Sequence, residues 1–442
     1  MFKSLAPLRH APFRNLFLSG LVSMFGDGVW LVAIPWITIE LGGNSDELAA
    51  VVGAESVGLV MFVLVGGALA DRYPRKHVVA FSHVVAFAVL TLLAAAFVVG
   101  QLHVWQLVIA GFVLGASAAV SGPAMDAMTP DLVPAEDLHA ANALDTVLRN
   151  LVLRMGGPAL GGVLIAVFSP LLVVVLNAAS FALAAVLAWM VVPLRAQTAE
   201  NDSAENVPYR KALGYLASQR WLWVLIVWSG LVLLLQTGPR QVLLPFIIHD
   251  DMHAGPRAYG LVLTSFGIAA TIGSLVLASR PLPRRYPLFM LIAWTIGALP
   301  LAGMAFAPGV WALLLLGLVY GFFSAVGNVY WSTLIQTRVP DNVRGRVISI
   351  DWLGSLILVP ISMALAGIGG AQSLSTWLFV IGGLLPVLLT LVTLKYVDFR
   401  AIEKDDQTDA KDGQDEGRER ESSPGPGPAG REGAVLEAPV RD

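Results

Sequence analysis

The sequence predicts an all-α membrane protein of twelve transmembrane helices arranged as two pseudosymmetric six-helix bundles. Three observations carry that reading. Only 13% of the residues are charged and the mean hydropathy is +0.72, against roughly 25% charged in ordinary soluble domains. Apolar runs long enough to cross a hydrocarbon layer, about 20 residues, recur up to Lys395. One long polar loop, residues 194–220, divides these runs into six and six.

In chain order, the first bundle (residues 1–193) has spans at about 14–40, 48–70, 77–99, 104–125, 139–167 and 170–193. The second (221–394) has them at about 222–248, 258–279, 287–306, 309–331, 346–368 and 374–394. Internal Pro and Gly are compatible with helix, because neighbouring membrane helices re-satisfy the freed backbone groups. The basic N-terminus lacks a small-residue cleavage site, so the first span reads as a retained anchor. Residues 395–442 are rich in Asp, Glu, Arg, Gly and Pro and cannot bury enough apolar surface to fold. They read as a disordered cytoplasmic tail.

Placing the N-terminus in the cytoplasm puts sixteen Lys and Arg residues in the loops of that side and one, Arg257, in the loops opposite. That asymmetry sets the orientation, with both termini inside a cell membrane. Trp105, Trp311 and Trp377 then fall near outer ends, and Trp189, Trp221 and Trp331 near inner ends. The halves echo one another. Leu69-Ala70-Asp71-Arg72 has a degraded counterpart in Leu277-Ala278-Ser279-Arg280, and Val133-Pro134 recurs as Val339-Pro340, at offsets of 208 and 206. Two related bundles imply a central pathway between them.

The chain has no cysteine, which excludes disulfides and thiol chemistry. It has no GxxxxGK[ST] loop, so ATP is not the direct energy source. Its seven histidines show no metal-ligand spacing. No cofactor, metal, nucleic-acid partner or enzymatic activity is expected, and the working unit is expected to be a monomer in the lipid bilayer.

A charge inside the bilayer costs at least about 2.5 kcal/mol on insertion scales, so each needs a reason. Asp27 lies in mid-span within Phe25-Gly26-Asp27-Gly28. The flanking glycines permit a local break beside the carboxylate. Proton carriage or cargo contact is one role; a permanent pairing in a packed interface is the other. Glu55, in the outer third of span 2, is the second proton-coupling candidate, or a hydrated residue at the external mouth. In span 5, Asp145 and Arg149 have the spacing of a structural ion pair. Arg154 lies deeper and would face Asp27, an anionic cargo group or a structural partner elsewhere. Gly157, Pro158, Gly161 and Gly162 allow close approach and a kink in this span. In span 7, Gln236 and Arg240 are candidates for cargo or charge pairing, with Pro239 and Pro245 bending the helix. Asn328, with Tyr330 and Trp331 in span 10, either lines the cavity or belongs to the interfacial belt.

GALADRYPRK, residues 67–76, resembles the GxLxDRxGRR signature of the major facilitator superfamily, with Gly67, Leu69, Asp71, Arg72, Arg75 and Lys76 in place and Pro74 where the signature has Gly. LRHAPFRNLFLSGLVSMFGDGVWLVAIPW, GPAMDAMTPDLVPAEDLHAANAL and IQTRVPDNVRGRVIS resemble the drug/proton antiporter branch containing macrolide, tetracycline, multidrug and enterobactin exporters. A lysophospholipid transporter shares the Gly-Asp of the first helix. The segment 156–162 is similar to the fifth-helix antiporter signature of exporters. Residues 104–125 carry no Arg, unlike the fourth helix of a neighbouring antiporter branch, so any proton relay is built differently.

The resemblance implies export of a small-molecule cargo, an amphipathic drug or metabolite, in exchange for protons by alternating access. A siderophore exporter or lysophospholipid flippase is the alternative within the fold. A non-transporting membrane sensor is the alternative outside it. Gly67, Asp71, Arg72, Arg75 and Lys76 then read as a latch at the cytoplasmic end, with Asp71 meeting the start of span 11 near Arg344 and Arg346 when the protein is open outward.

Overall fold

The computed structural model describes residues 3–192, 209–370 and 372–397. Most of the predicted linker and the tail beyond 397 lie outside the described residues, as do the side chains of Asp71 and Arg149.

A 3-10 turn, Lys3–Arg9, leads into α1 (Ala11–Glu40). Gly42, at φ +76°, turns the chain into α2 (Ser45–Arg72). That helix starts at a reciprocal cap, in which Asn44 Oδ1 accepts from the Glu47 amide at 3.1 Å and Glu47 Oε2 accepts from the Asn44 amide at 3.0 Å. The chain continues through α3 (Arg75–Val98) and α4 (Val104–Leu132). Next comes α5, built of Ala135–Arg149, a π-helical segment Asn150–Gly156, and Gly157–Val167. α6 (Pro170–Trp189) completes the first bundle, capped by Ser169. A short amphipathic helix, α7 (Tyr209–Ser218), precedes the second bundle. That bundle comprises α8 (Arg220–Asp251), α9 (Pro256–Ala278), α10 (Tyr286–Met304), α11 (Val310–Arg338), α12 (Asp341–Leu356 and Val359–Ile368) and α13 (Gln372–Tyr396).

Among the described residues, eleven helices are long and apolar enough to cross a membrane. The twelfth crossing is α5, whose apolar part is only Leu151–Val167; its first half is amphipathic. α4 and α11 outrun their expected ends at 125 and 331. A helix stops where its backbone is blocked, not where its apolar run ends. The blocks are Val133 and Val339, which are extended because each precedes a proline. The repeated Val-Pro pairs are therefore paired helix stops.

The two ends of the molecule pack differently. At the end bearing Gly42, one core runs from Trp30, Ile37 and Val51 of the first bundle to Leu244, Val262, Met363 and Phe379 of the second. At the end bearing Arg72, Phe13, Val79, Met128 and Leu132 form one core and Leu222, Ile335, Val339 and Val347 another. Among the described residues, the bundles share a core at one end and have separate cores at the other. The shared end is sealed by two helix pairs, α2 on α12 and α5 on α9. Ser45 Oγ donates to the Gly367 carbonyl at 3.3 Å in the first pair. In the second pair, a Cβ on Gly260 would lie 3.1 Å from the Gly162 Cα. Small residues let these backbones meet directly.

Candidate translocation site

At 1.5 Å of rise per residue, five polar side chains share one level, about 15–20 Å from the Gly42 end: Asp27 of α1, Glu55 of α2, Arg154 of α5, Arg240 of α8 and Tyr320 of α11.

The acids come from one bundle. α1 runs unbroken through Asp27, which corrects the expected break at Gly26 and Gly28. Those glycines serve packing instead. Asn177 and Ser180 of α6 occupy the space a Gly26 side chain would need, and a Cβ on Gly28 would lie 2.9 Å from the Gly157 Cα. α1 is thereby clamped between α5 and α6 with its carboxylate turned elsewhere. The Asp27 carboxylate lies within Coulombic reach of Glu55. α2 is fixed in turn on α4, where Gly111 and Gly115 receive the backbone around Val51 and Glu55. Both acids are partly accessible, and neither has a hydrogen bond or ion pair with another described side chain.

The bases come from both bundles, and both stand on π-helical turns: Arg154 in Asn150–Gly156 and Arg240 in Pro239–Leu243. Such turns interrupt regular helix and recur at functional sites. Proline sets their place. Pro158 has no N–H to offer the Arg154 carbonyl four residues earlier, and that carbonyl instead packs on Gly267 of α9. A wound turn, Asn150–Gly156, stands immediately before Gly157 and Pro158, where the sequence suggested a kink. Gly157 receives α1, Gly161 packs on Val29 and Gly162 on α9. The Arg154 side chain is exposed. Its charge neighbours are Arg240 and Tyr320, not Asp27. Arg240 Nη1 donates to Tyr320 Oη at 2.8 Å, and its guanidinium lies 5.1 Å from that ring's centroid.

The remaining candidates divide. Gln236 is buried and donates through Nε2 to the Gly382 carbonyl at 3.3 Å, so it ties α8 to α13. Asn328 is exposed and its Oδ1 accepts from Trp294 Nε1 at 3.0 Å. Trp294 stacks on Trp228 at 5.4 Å and meets Trp331 at 6.0 Å. Trp331 Nε1 donates to Asp351 Oδ2 at 3.0 Å. Asp351, an acid inside α12 with its Oδ1 buried and unbonded, is absent from the sequence-based candidates. Its signal was the 206 offset, which pairs it with Asp145. Trp331 is a packing residue here, whereas Trp105, Trp189, Trp311 and Trp377 are exposed as a belt requires.

In the 67–76 segment, Arg75 Nη1 donates to the Ala127 carbonyl at 2.9 Å and pairs with Asp131 at 3.3 Å. Lys76 Nζ donates to the Val191 carbonyl at 3.2 Å. Both bonds stay within the first bundle. Arg72 is exposed over the Tyr73 ring, and Gly67 faces open space.

A profile described as transmembrane secretion effector matches residues 2–418. The chain belongs to that family, within the major facilitator superfamily. This transporter is 29% identical over 381 residues to the multidrug efflux pump Tap of Mycobacterium tuberculosis, covering 81% of this chain and 87% of the relative. It is 28% identical over 399 residues to the enterobactin exporter EntS of Citrobacter koseri, covering 86% and 92%. Among solved structures, a bacterial homologue of the iron transporter ferroportin in an inward-facing state superposes with a TM-score of 0.67 at 20% identity, covering 87% of this chain and 98% of that one. The nucleoside transporter NupG superposes at 0.65 with 14% identity, covering 87% and 98%. These two likenesses speak to the fold.

Proposed function

We propose that this transporter is a proton-coupled exporter of a small amphipathic drug or metabolite, working as a monomer by alternating access in the cell membrane. One observation carries the proton assignment. Asp27 and Glu55 are two carboxylates of one bundle within Coulombic reach, without a cationic partner among the described residues. Two neighbouring carboxylates of one bundle suit a group that exchanges a proton as its access to water alternates. Similarity to Tap and EntS supports the export direction. With the Lys and Arg loops on the cytoplasmic side, the separated cores lie inside the cell and the structure faces inward. In the 67–76 segment, Arg75 and Lys76 rest on their own bundle. The EntS similarity also favours a second cargo class, a siderophore.

The test is dye and drug uptake into inverted membrane vesicles under an imposed pH gradient. Asp27→Asn is expected to abolish gradient-driven uptake. Full uptake by that variant would remove Asp27 as the carrier.

A further inference from the structure

We propose that Arg154 and Arg240 form one anion-binding site between the bundles, so that the cargo carries an acidic group, a carboxylate or phosphate, on its apolar body. The inference rests on the transport reading and names the charge class of what is carried.

The argument begins with what the two arginines lack. Guanidinium stays protonated under all working conditions, and holding one charge at this depth is already costly. Two within Coulombic reach add mutual repulsion. Among the described residues, neither is paired with a carboxylate: Arg240 has the Tyr320 hydroxyl and ring, and Arg154 has no hydrogen bond at all. The acids at the same level, Asp27 and Glu55, do not count among Arg154's charge neighbours. A purely structural arrangement would have supplied a counter-charge.

The frame holding them is built. Each arginine stands on a π-helical turn set by a proline. The turn under Arg154 is seated on α9 through Gly267, and Thr264 Oγ1 bonds the Met155 carbonyl at 3.4 Å. Tyr320 is fixed under Arg240 by Phe266, whose ring centroid is 5.3 Å away. The Arg154 side chain remains exposed, and its charge neighbours, Arg240 and Tyr320, belong to the second bundle. The aromatic floor suits an apolar body, and the two forks suit the bidentate geometry of a carboxylate or phosphate. A bound anion would cancel the repulsion and hold α5 to α8, one helix from each bundle.

The test uses purified full-length protein and two probes with the same body and opposite charge, pyrenebutyrate and pyrenebutyl-trimethylammonium. Wild type is expected to bind the anion about tenfold or more tightly than the cation, as a charge-assisted contact requires. Arg154→Gln and Arg240→Gln should each erase that preference, while Arg154→Lys keeps much of it. Tyr320→Phe should weaken anion binding only a few-fold. Inorganic phosphate should compete with the anion in wild type and not in Arg154→Gln. Equal binding of both probes by wild type, a measurement that needs no variant, would overturn the proposal. So would an anion preference that survives both Gln variants. The readout requires no gradient. An anion preference in a protein that shows no proton-driven transport would therefore sink the coupling reading and leave the site standing.

Discussion

The molecule holds two like-charged pairs at one depth, and they differ in which bodies they join. Asp27 and Glu55 both belong to the first bundle, on helices clamped by glycine contacts to α4, α5 and α6. Arg154 and Arg240 belong to opposite bundles, on wound turns whose guanidinium groups lie within Coulombic reach of each other. When two bundles rock, a pair within one body keeps its separation and changes only its access to water. A pair across the seam changes its separation. The first design suits a proton, which needs alternating access, and the second suits a cargo, whose charge must bias which state is populated.

The largest expected effect comes from freezing the seam. The ideal Cβ of Gly53 in α2 lies 3.6 Å from the Met363 Cβ in α12, inside the usual disulfide range of about 3.5–4.5 Å. The chain has no native cysteine to interfere. Gly53→Cys with Met363→Cys, once oxidised, is expected to stop transport completely while anion-probe binding persists, and reduction should restore transport. Undiminished transport in the cross-linked form would show that the α2–α12 contact does not open during the cycle. A smaller effect separates the two acids. Glu55→Gln leaves one carboxylate able to exchange protons, so uptake in inverted vesicles should fall about tenfold instead of vanishing. Equal loss in Asp27→Asn and Glu55→Gln would mean that the pair works as a single unit.

How much of this was legible follows from what each feature depends on. The bundles and spans are composition and charge placement, which any single sequence displays. The Val-Pro helix stops are local sterics and equally readable. The π-helical turns were half readable: Pro158 and Pro239 announce a disturbed helix. Whether it kinks or winds depends on who receives the freed carbonyl, here Gly267, more than a hundred residues away. The role of Gly26 and Gly28 was misread for the same reason. Glycine advertises either freedom or closeness, and only the neighbours, Asn177, Ser180 and Gly157, decide between them. Gln236 looked like a cavity residue because nothing in its own helix shows that Gly382 lies behind it. Asp351 was overlooked beside Arg344 and Arg346, which make the start of its helix read as a polar end.

The smallest effect tests the seam from its other end. In this state Arg75 and Lys76 are bonded inside the first bundle, while Gly67 faces open space. We place the cross-bundle work of Asp71 in the opposite state, where the two cores at this end come together. Asp71→Asn would then destabilise only that opposite state. Transport should weaken about two- to fivefold, a coupling of the order of 1 kcal/mol, while the anion probe binds as in wild type. Lost binding with an unchanged cycle would place the segment's influence on the cargo site and dissolve the division of labour between the seam and the latch.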